Sequence, residues 1–428
     1  MSGVRVRDQE LLRLGMTLPG FVERSRVIAS LPSLGLLTIA GCTPANWDVV
    51  YREVDEAPVV EDGYDLVAIS SLSARVLEAY DLADRLRAGG TKVVLGGLHV
   101  SALPQEAMAH ADAVVQGEGE AVWPALLCDL EEGRLRPLYS SFDPSARAFR
   151  MEDAPVPRYD LLDPSKYNRL PLQTTRGCPL DCSFCAASRL ISPYRRKPIE
   201  QVRRELEAIL AIWPRPFLEL ADDNTFVDKR WGRELARVLS EYPIRWFTET
   251  DLSVADDEEL LDLLAGSGCA QLLIGLESAR REALRGVDGR DWKHSHWEEY
   301  AERIRRIQSR GISVNGCFVL GFDGDDVGVF DRTLDFVREI GLAEVQITVL
   351  TPFPGTALHE QLEREGRLLS PVYWDRCTLF DVTFRPAGMG VDELEKGFRG
   401  LMVDLYGAEE AGRRKRLFRA CVRAARRR

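Results

Sequence analysis

The 428-residue chain has only 5 histidines and 6 methionines, and no stretch stays apolar for the roughly 18 residues that a membrane-spanning helix needs. Its N-terminus has no charged-then-apolar leader pattern, so the expected compartment is the cytoplasm. A disulfide framework is not expected either, because the nine cysteines are odd in number and unevenly spread. Positive charge is not in excess: 56 Lys and Arg against 67 Asp and Glu give a net −11, which argues against broad nucleic-acid affinity. No G-x-G-x-x-G with a downstream acidic residue occurs, so dinucleotide binding has little support. What remains is an ordinary globular composition, 45% hydrophobic and 29% charged, long enough for two or three domains.

The most informative stretch is Thr174-Thr175-Arg176-Gly177-Cys178-Pro179-Leu180-Asp181-Cys182-Ser183-Phe184-Cys185, three cysteines at x3 and x2 spacing in one loop. Gly177 and Pro179 bend the backbone around the first thiol, so the three sulfurs can converge. Thiolates are soft ligands suited to an iron-sulfur cluster or to zinc. A cubic four-iron cluster normally takes four cysteines; with three, one iron keeps an open position for substrate or cofactor. Two plainer readings are three packed thiols, or a zinc site completed by Cys269 or Cys317.

With an aromatic residue just before its last cysteine, the loop resembles the signature of radical S-adenosylmethionine (SAM) enzymes. The resemblance implies a [4Fe-4S] cluster on Cys178, Cys182 and Cys185, with Phe184 beside the adenine of SAM. In that family the open iron chelates the amino and carboxylate groups of SAM. One electron then splits SAM into methionine and a 5'-deoxyadenosyl radical.

Upstream, short apolar runs alternate with helical patterns, which indicates a parallel sheet with crossover helices and a Rossmann-like α/β fold. Strands are expected at 65–70, 92–95 and 113–116, and helices over 74–87 and from about 121. Glycines directly after parallel strands lie at the carboxyl edge, where open α/β sheets bind ligands. This region is similar to the cobalamin-binding domain that precedes many radical SAM domains. Ser70 and Leu72 match its Ser-x-Leu element and Gly96-Gly97 its Gly-Gly element. The segments around His99 and Gly117-Glu118-Gly119-Glu120 follow the radical SAM version. No Asp-x-His-x-x-Gly occurs upstream, so no histidine is placed to ligate cobalt from below, and His99 reads as a polar residue at the sheet edge.

Residues 134–167 carry five prolines and no sustained periodicity, and are expected to be a linker between a first domain, 1–133, and a second, 168–356. The second repeats strand-then-helix six times, with strands at 170–175, 217–221, 244–248, 270–276, 313–320 and 344–350. That pattern indicates an open (β/α)6 version of the eight-stranded barrel, with chemistry at the strand carboxyl ends. Asp222-Asp223-Asn224, Gly275-Leu276-Glu277-Ser278 and Pro352-Phe353-Pro354-Gly355-Thr356 follow three of those strands. They resemble the SAM-contacting motifs of cobalamin-type members. By that resemblance Asp222 or Asp223 receives the methionine ammonium, Glu277 binds amino-acid or ribose groups, and Pro354 and Gly355 lie near adenine. A carboxylate cap for the next helix is the alternative at each acidic position.

The segment 290–297, rich in tryptophan and histidine, departs from the family's usual pattern. It reads either as pocket lining or as a helix entry capped by Asp291 or Ser295 with Trp297 packed inward. Residues 357–428 are expected to form a helical extension. Tyr373 and Trp374 would close the barrel mouth, 391–406 would form an amphipathic helix, and the basic 413–428 a solvated helix or frayed terminus, with a nucleic-acid or anionic-membrane contact as the alternative. The resemblance implies a cobalamin-dependent methyltransferase working on an unactivated carbon of a small-molecule or biosynthetic intermediate. The implied cofactors are the cluster, SAM and cobalamin, and the electron comes from an external reductant such as flavodoxin or ferredoxin. Cobalamin-independent dehydration, epimerisation or rearrangement is one alternative, and a non-catalytic iron-sulfur sensor or scaffold is another.

Overall fold

A computed structural model describes residues 4–5, 27–28, 31–54, 63–146, 148–187 and 190–425; most of the first 30 residues and the last three residues of the basic tail lie outside this set. The chain builds two parallel sheets. The first has the order β1 (Leu66–Ser70), β2 (Lys92–Gly96), β3 (Ala113–Gln116) and β4 (Leu138–Ser140). The second runs in sequence order from β5 (Leu170–Leu172) through β6 (Phe217–Leu220), β7 (Arg245–Thr250), β8 (Cys269–Glu277) and β9 (Ser313–Leu320) to β10 (Glu344–Val349). All five of its pairings are parallel and none joins β10 to β5, so it is the open six-stranded barrel that the sequence pattern indicated.

Helix starts follow side-chain capping. Asp228 accepts from Trp231 N (3.0 Å), Asp257 from Leu260 N (2.9 Å) and Thr356 from His359 N (3.2 Å), so these three helices begin where an oxygen satisfies a free amide. The barrel core is one continuous apolar body in which Leu172, Leu206, Trp246, Leu272, Val314 and Ile347 are fully buried or nearly so.

Three expectations change. The linker is not without regular structure, because residues 138–140 pair with β3 as a fourth strand of the first sheet. Tyr159 and Leu162 from the same segment enter the barrel core. The C-terminal extension does not simply cap the barrel: Tyr373, Trp374 and Cys377 are built into the core of the first sheet, and Trp374 Nε1 donates to Glu106 (3.1 Å). The tail is a helix, Ala408–Ala425, one of the two forms expected, but it is not wholly solvated, because Arg414 is buried and donates to the Leu405 carbonyl (2.6 Å). The preceding helix, Val391–Tyr406, lies at the expected residues. Among the described residues no helix is long and apolar enough to cross a membrane.

Candidate active site at the barrel mouth

The cysteine loop leaves the barrel just after β5 and is pinched at its neck. Thr175–Arg176 and Arg195–Arg196 pair as two short antiparallel strands, with Arg176 opposite Arg195. Gly177 sits at the pinch with φ +76°. A Cβ there would stand 2.6 Å from the Pro193 carbonyl oxygen and 2.7 Å from that of Ser192, so only glycine fits. Beyond the neck, Cys178, Cys182, Phe184 and Cys185 all line one cavity of about 280 Å³. Phe184 also meets Phe322 edge-on at 5.8 Å.

Among the described residues no three Cys, His, Asp or Glu groups are gathered closely enough to hold a single metal ion. An iron-sulfur cube is larger than an ion and takes its thiolates at separate corners, so three soft donors facing one cavity fit that group. Burial pushes the Cys182 thiol up to about 11 and raises that of Cys178, so loading a metal must displace protons from them. Of the two other thiols considered, Cys317 lines the same cavity from β9. Cys269 is buried at the amino end of β8, away from it.

The two neighbouring aspartates have different surroundings. Asp222 is buried and ties the strand ends together: it accepts from Thr174 N (2.6 Å), Thr175 N (2.8 Å) and Thr225 Oγ1 (3.0 Å), and from Thr174 Oγ1. Burial raises its pKa, and these hydrogen bonds oppose the rise. Asp223 lines the cavity instead. Asn224 lines it as well and donates to Asp251 (2.8 Å).

Glu277 ends β8 in a left-handed conformation, φ +63°, and turns its carboxylate into the cavity. There it accepts from Lys293 Nζ in a buried ion pair. Gly275 makes room for the pair, since a Cβ would meet Glu277 Oε1 at 2.3 Å and Lys293 Nζ at 3.1 Å. Burial alone lowers an ammonium pKa, but the attraction of Glu277 outweighs it and holds Lys293 above its usual range.

Lys293 comes from the atypical 290–297 segment and was not singled out from the sequence. It sits in a short irregular helix with no periodicity to expose it. Asp288 organises that segment by accepting from Trp292 N (2.9 Å) and Lys293 N (3.2 Å). Asp291, at φ +50°, turns instead to Gly286 N (2.6 Å), so neither it nor Ser295 caps the helix. Trp297 packs inward, stacked on Phe336 at 5.1 Å, and His296 stacks on Trp292 at 4.4 Å.

Glu249 opens onto the cavity from β7 and its side chain is accessible there; desolvation by the surrounding protein, then the like charges of Glu219, Asp223 and Glu277, push its carboxyl up to about 8. Asp323 pairs with Arg367 (2.6 Å) and caps no helix, while Asp325 wraps back to accept from Gly321 N and Phe322 N. Phe353 of the last turn reaches the cavity. Pro354 and Gly355 do not line it, and Gly355 instead abuts Ala102 of the first domain.

At the carboxyl edge of the first sheet lie Ser70, Gly96, Gly97 and Gly117, as the sequence indicated. Three exposed apolar side chains follow three of its strands: Leu72 after β1, Leu98 after β2 and Phe142 after β4. Small residues beside an exposed apolar rim fit a broad, flat ligand such as a corrin ring. His99 is not at that edge. Its side chain is buried, Nδ1 lies 3.1 Å from Ser73 Oγ, Nε2 lies 3.5 Å from Glu106, and its ring meets Trp374 edge-on. Glu118 is also engaged elsewhere, by Arg176 (3.0 Å) and Arg195.

Comparison with known proteins agrees with this architecture. The family model of the radical SAM superfamily matches residues 172–337, that of the B12 binding domain matches 26–127, and Domain of unknown function (DUF4070) matches 356–428. The chain belongs to the radical SAM superfamily, among the members that carry a B12-binding domain. It is 28% identical to the bacteriochlorophyllide d C-12(1)-methyltransferase of Chlorobaculum tepidum, over 88% of this chain and 83% of that protein. It is 30% identical to an uncharacterized methyltransferase of Synechocystis, over 79% of this chain and 64% of that one. In fold it is similar to the radical SAM methyltransferase TsrM of Kitasatospora setae, solved with cobalamin and a [4Fe-4S] cluster bound. The TM-score is 0.64 at 17% identity, covering 86% of this chain and 89% of that one.

Proposed function

We propose that the chain is a cobalamin-dependent radical SAM methyltransferase acting on an unactivated carbon of a small-molecule or biosynthetic intermediate. The observation that carries this reading is the cavity itself, where three thiols of one loop face Asp223, Glu249, Asp251, Glu277 and, among the described lining residues, a single cation, Lys293. SAM carries an ammonium, a sulfonium and a carboxylate, and this mixture of acids with one ammonium complements it. Asp223, which unlike Asp222 lines the cavity, suits the methionine ammonium, and Lys293 suits the carboxylate. Phe184 and Phe353 supply flat apolar surface for adenine.

Cys178, Cys182 and Cys185 would hold the cluster. Ser70, Leu72, Gly96, Gly97, Leu98, Gly117 and Phe142 would hold the corrin. When bound, the cluster supplies the electron that cleaves SAM, and cobalamin supplies the methyl group. The protein orients SAM, excludes water and keeps the carboxylates charged or neutral as their surroundings dictate. The electron would come from a flavodoxin- or ferredoxin-type donor. The methyltransferase names of the relatives support transfer over dehydration or rearrangement.

The test is anaerobic reconstitution with iron, sulfide and hydroxocobalamin, followed by a low-potential reductant, which brings the corrin to cob(I)alamin and reduces the cluster, and SAM bearing a CD3 group. The reading predicts a bound-corrin absorbance and the CD3 mass increment in the extracted corrin. A loaded, SAM-cleaving protein that leaves the corrin unlabelled would move the function to the cobalamin-independent class.

A further inference from the structure

Both strands of the cysteine-loop neck are held from outside the barrel by one side chain. Glu118 Oε1 accepts from Arg176 Nη1 (3.0 Å) on the outgoing strand and from Arg195 Nη2 on the returning strand. Arg176 Nη2 also donates to Glu120 (2.7 Å), and its Nε and Nη2 donate to Gln173 (3.1 and 3.0 Å). Arg195 donates to Ser192 Oγ (2.7 Å) and to the carbonyl of Phe149, whose ring lies 5.4 Å below the Arg176 guanidinium and 5.8 Å below that of Arg195.

The four charges cancel in a largely closed setting, with side-chain exposures of 12% for Arg176, 10% for Glu118, 8% for Glu120 and 23% for Arg195. Burial alone raises the Glu120 pKa, but Arg176 outweighs it and holds the carboxylate below its usual range. Glu118 belongs to the turn after β3, the same turn whose Gly117 lies at the ligand edge of the first sheet, and Glu120 to the first turn of the helix Gly119–Glu131 that follows; Glu118 N donates to Ser141 Oγ (2.8 Å) beside Phe142.

We propose that Glu118 is a positioning residue for the cysteine loop: by gripping Arg176 and Arg195 together it makes the first domain, and not the barrel alone, set how the three thiols are presented. A single carboxylate bridging two guanidiniums on facing strands resists both spreading and sliding of the neck, which neither pair would do alone. The inference rests on the proposed function only in taking that loop to be the cluster loop.

The test compares Glu118→Ala and Glu118→Gln with the wild-type full chain, using Asp228→Asn as control. Asp228 pairs with Arg196 on the same neck strand but belongs to the barrel. Hydrogen exchange is followed in peptides spanning 177–187 and 190–194 and, for reference, 269–277, in the metal-free chain and after anaerobic reconstitution. Iron content and the EPR spectrum of the reduced protein with and without SAM are recorded alongside.

The expected result is at least tenfold faster exchange in the loop for Glu118→Ala and an intermediate effect for Glu118→Gln, which keeps an acceptor but loses the charge. The reference peptides and the Asp228→Asn variant should be unchanged. The SAM-induced change in the EPR spectrum should be broadened in both Glu118 variants. Unchanged loop exchange overturns the proposal, and so does faster exchange spread equally over the reference peptides, which marks a merely structural role. Wild-type protein that takes up no iron overturns the cluster reading instead, while exchange in that same metal-free chain still decides the role of Glu118.

Discussion

Lys293 Nζ donates to Glu277 inside the cavity that Cys178, Cys182 and Cys185 line, in space that Gly275 leaves by having no side chain. The pair links the end of β8 to a segment 16 residues further on, and it is buried on both sides, at 8% and 9% side-chain exposure. Removing one partner strands the other. Lys293→Met is therefore expected to lower stability by about 3–5 kcal/mol, whereas the double variant with Glu277→Gln recovers much of that loss. Denaturant unfolding of the four proteins measures the coupling. SAM affinity, read by calorimetry on reconstituted protein, should fall about tenfold or more in Lys293→Met and stay low in the double variant.

Asp222 and Asp223 should separate by what each change damages. Asp222→Asn places an NH2 group among donors, facing the amides of Thr174 and Thr175 and two threonine hydroxyls, so it should cost about 1–3 kcal/mol of stability. Asp223→Asn should leave the unfolding midpoint near that of the wild type and weaken SAM binding. Thermal unfolding and SAM calorimetry on both variants check this; matching profiles for the two would contradict it.

Glu249 gives the chain a defined pH response. Its folded pKa of about 8 lies above the ordinary 4.5, so its contribution to stability is fully present below about pH 4.5 and is lost as pH rises through about 8. Glu249→Gln mimics the neutral form. The unfolding midpoint of the variant should match the wild type near pH 5 and exceed it increasingly towards about pH 8.5. SAM, bringing positive charge, should drive this carboxyl to ionise, so its binding at neutral pH should release protons. Calorimetry in buffers of different ionisation enthalpy reads that release.

His99 lies buried between Ser73, Glu106 and Trp374, away from the ligand edge. Bound cob(II)alamin should therefore show no nitrogen splitting from a protein imidazole in its EPR spectrum, and His99→Ala should leave that spectrum unchanged. The same variant should lower the unfolding midpoint by opening the contact with Trp374, and Trp374→Ala should do the same. A spectrum altered by His99→Ala would contradict this.

Much of the fold was legible because its signals are local. The runs 313–320 and 113–116 are mostly apolar, and both became strands at those residues. The helix caps at Asp228 and Thr356 are equally local, since each depends on a neighbour three residues away. The three-cysteine loop was visible for the same reason. What stayed hidden depends on contacts distant in sequence. Nothing in residues 138–140 marks them as a fourth strand until β3 offers an edge, and Trp374 finds Glu106 across 268 residues. Asp222 and Asp223 are identical in type and adjacent, and only the alternation of side chains at the strand end separates one that braces the backbone from one that faces the cavity. Lys293 was missed because its position is set by Asp288 and by the absence of a side chain at Gly275, neither of which makes a pattern.

The account stands on the three thiols of the cysteine loop holding a cluster that opens one iron to SAM. Its most direct test is the release of 5'-deoxyadenosine when the anaerobically reconstituted, reduced chain meets SAM. The account predicts 5'-deoxyadenosine from the wild type and none from Cys182→Ala prepared in the same way. Iron-loaded, reduced wild-type protein that leaves SAM intact would contradict it.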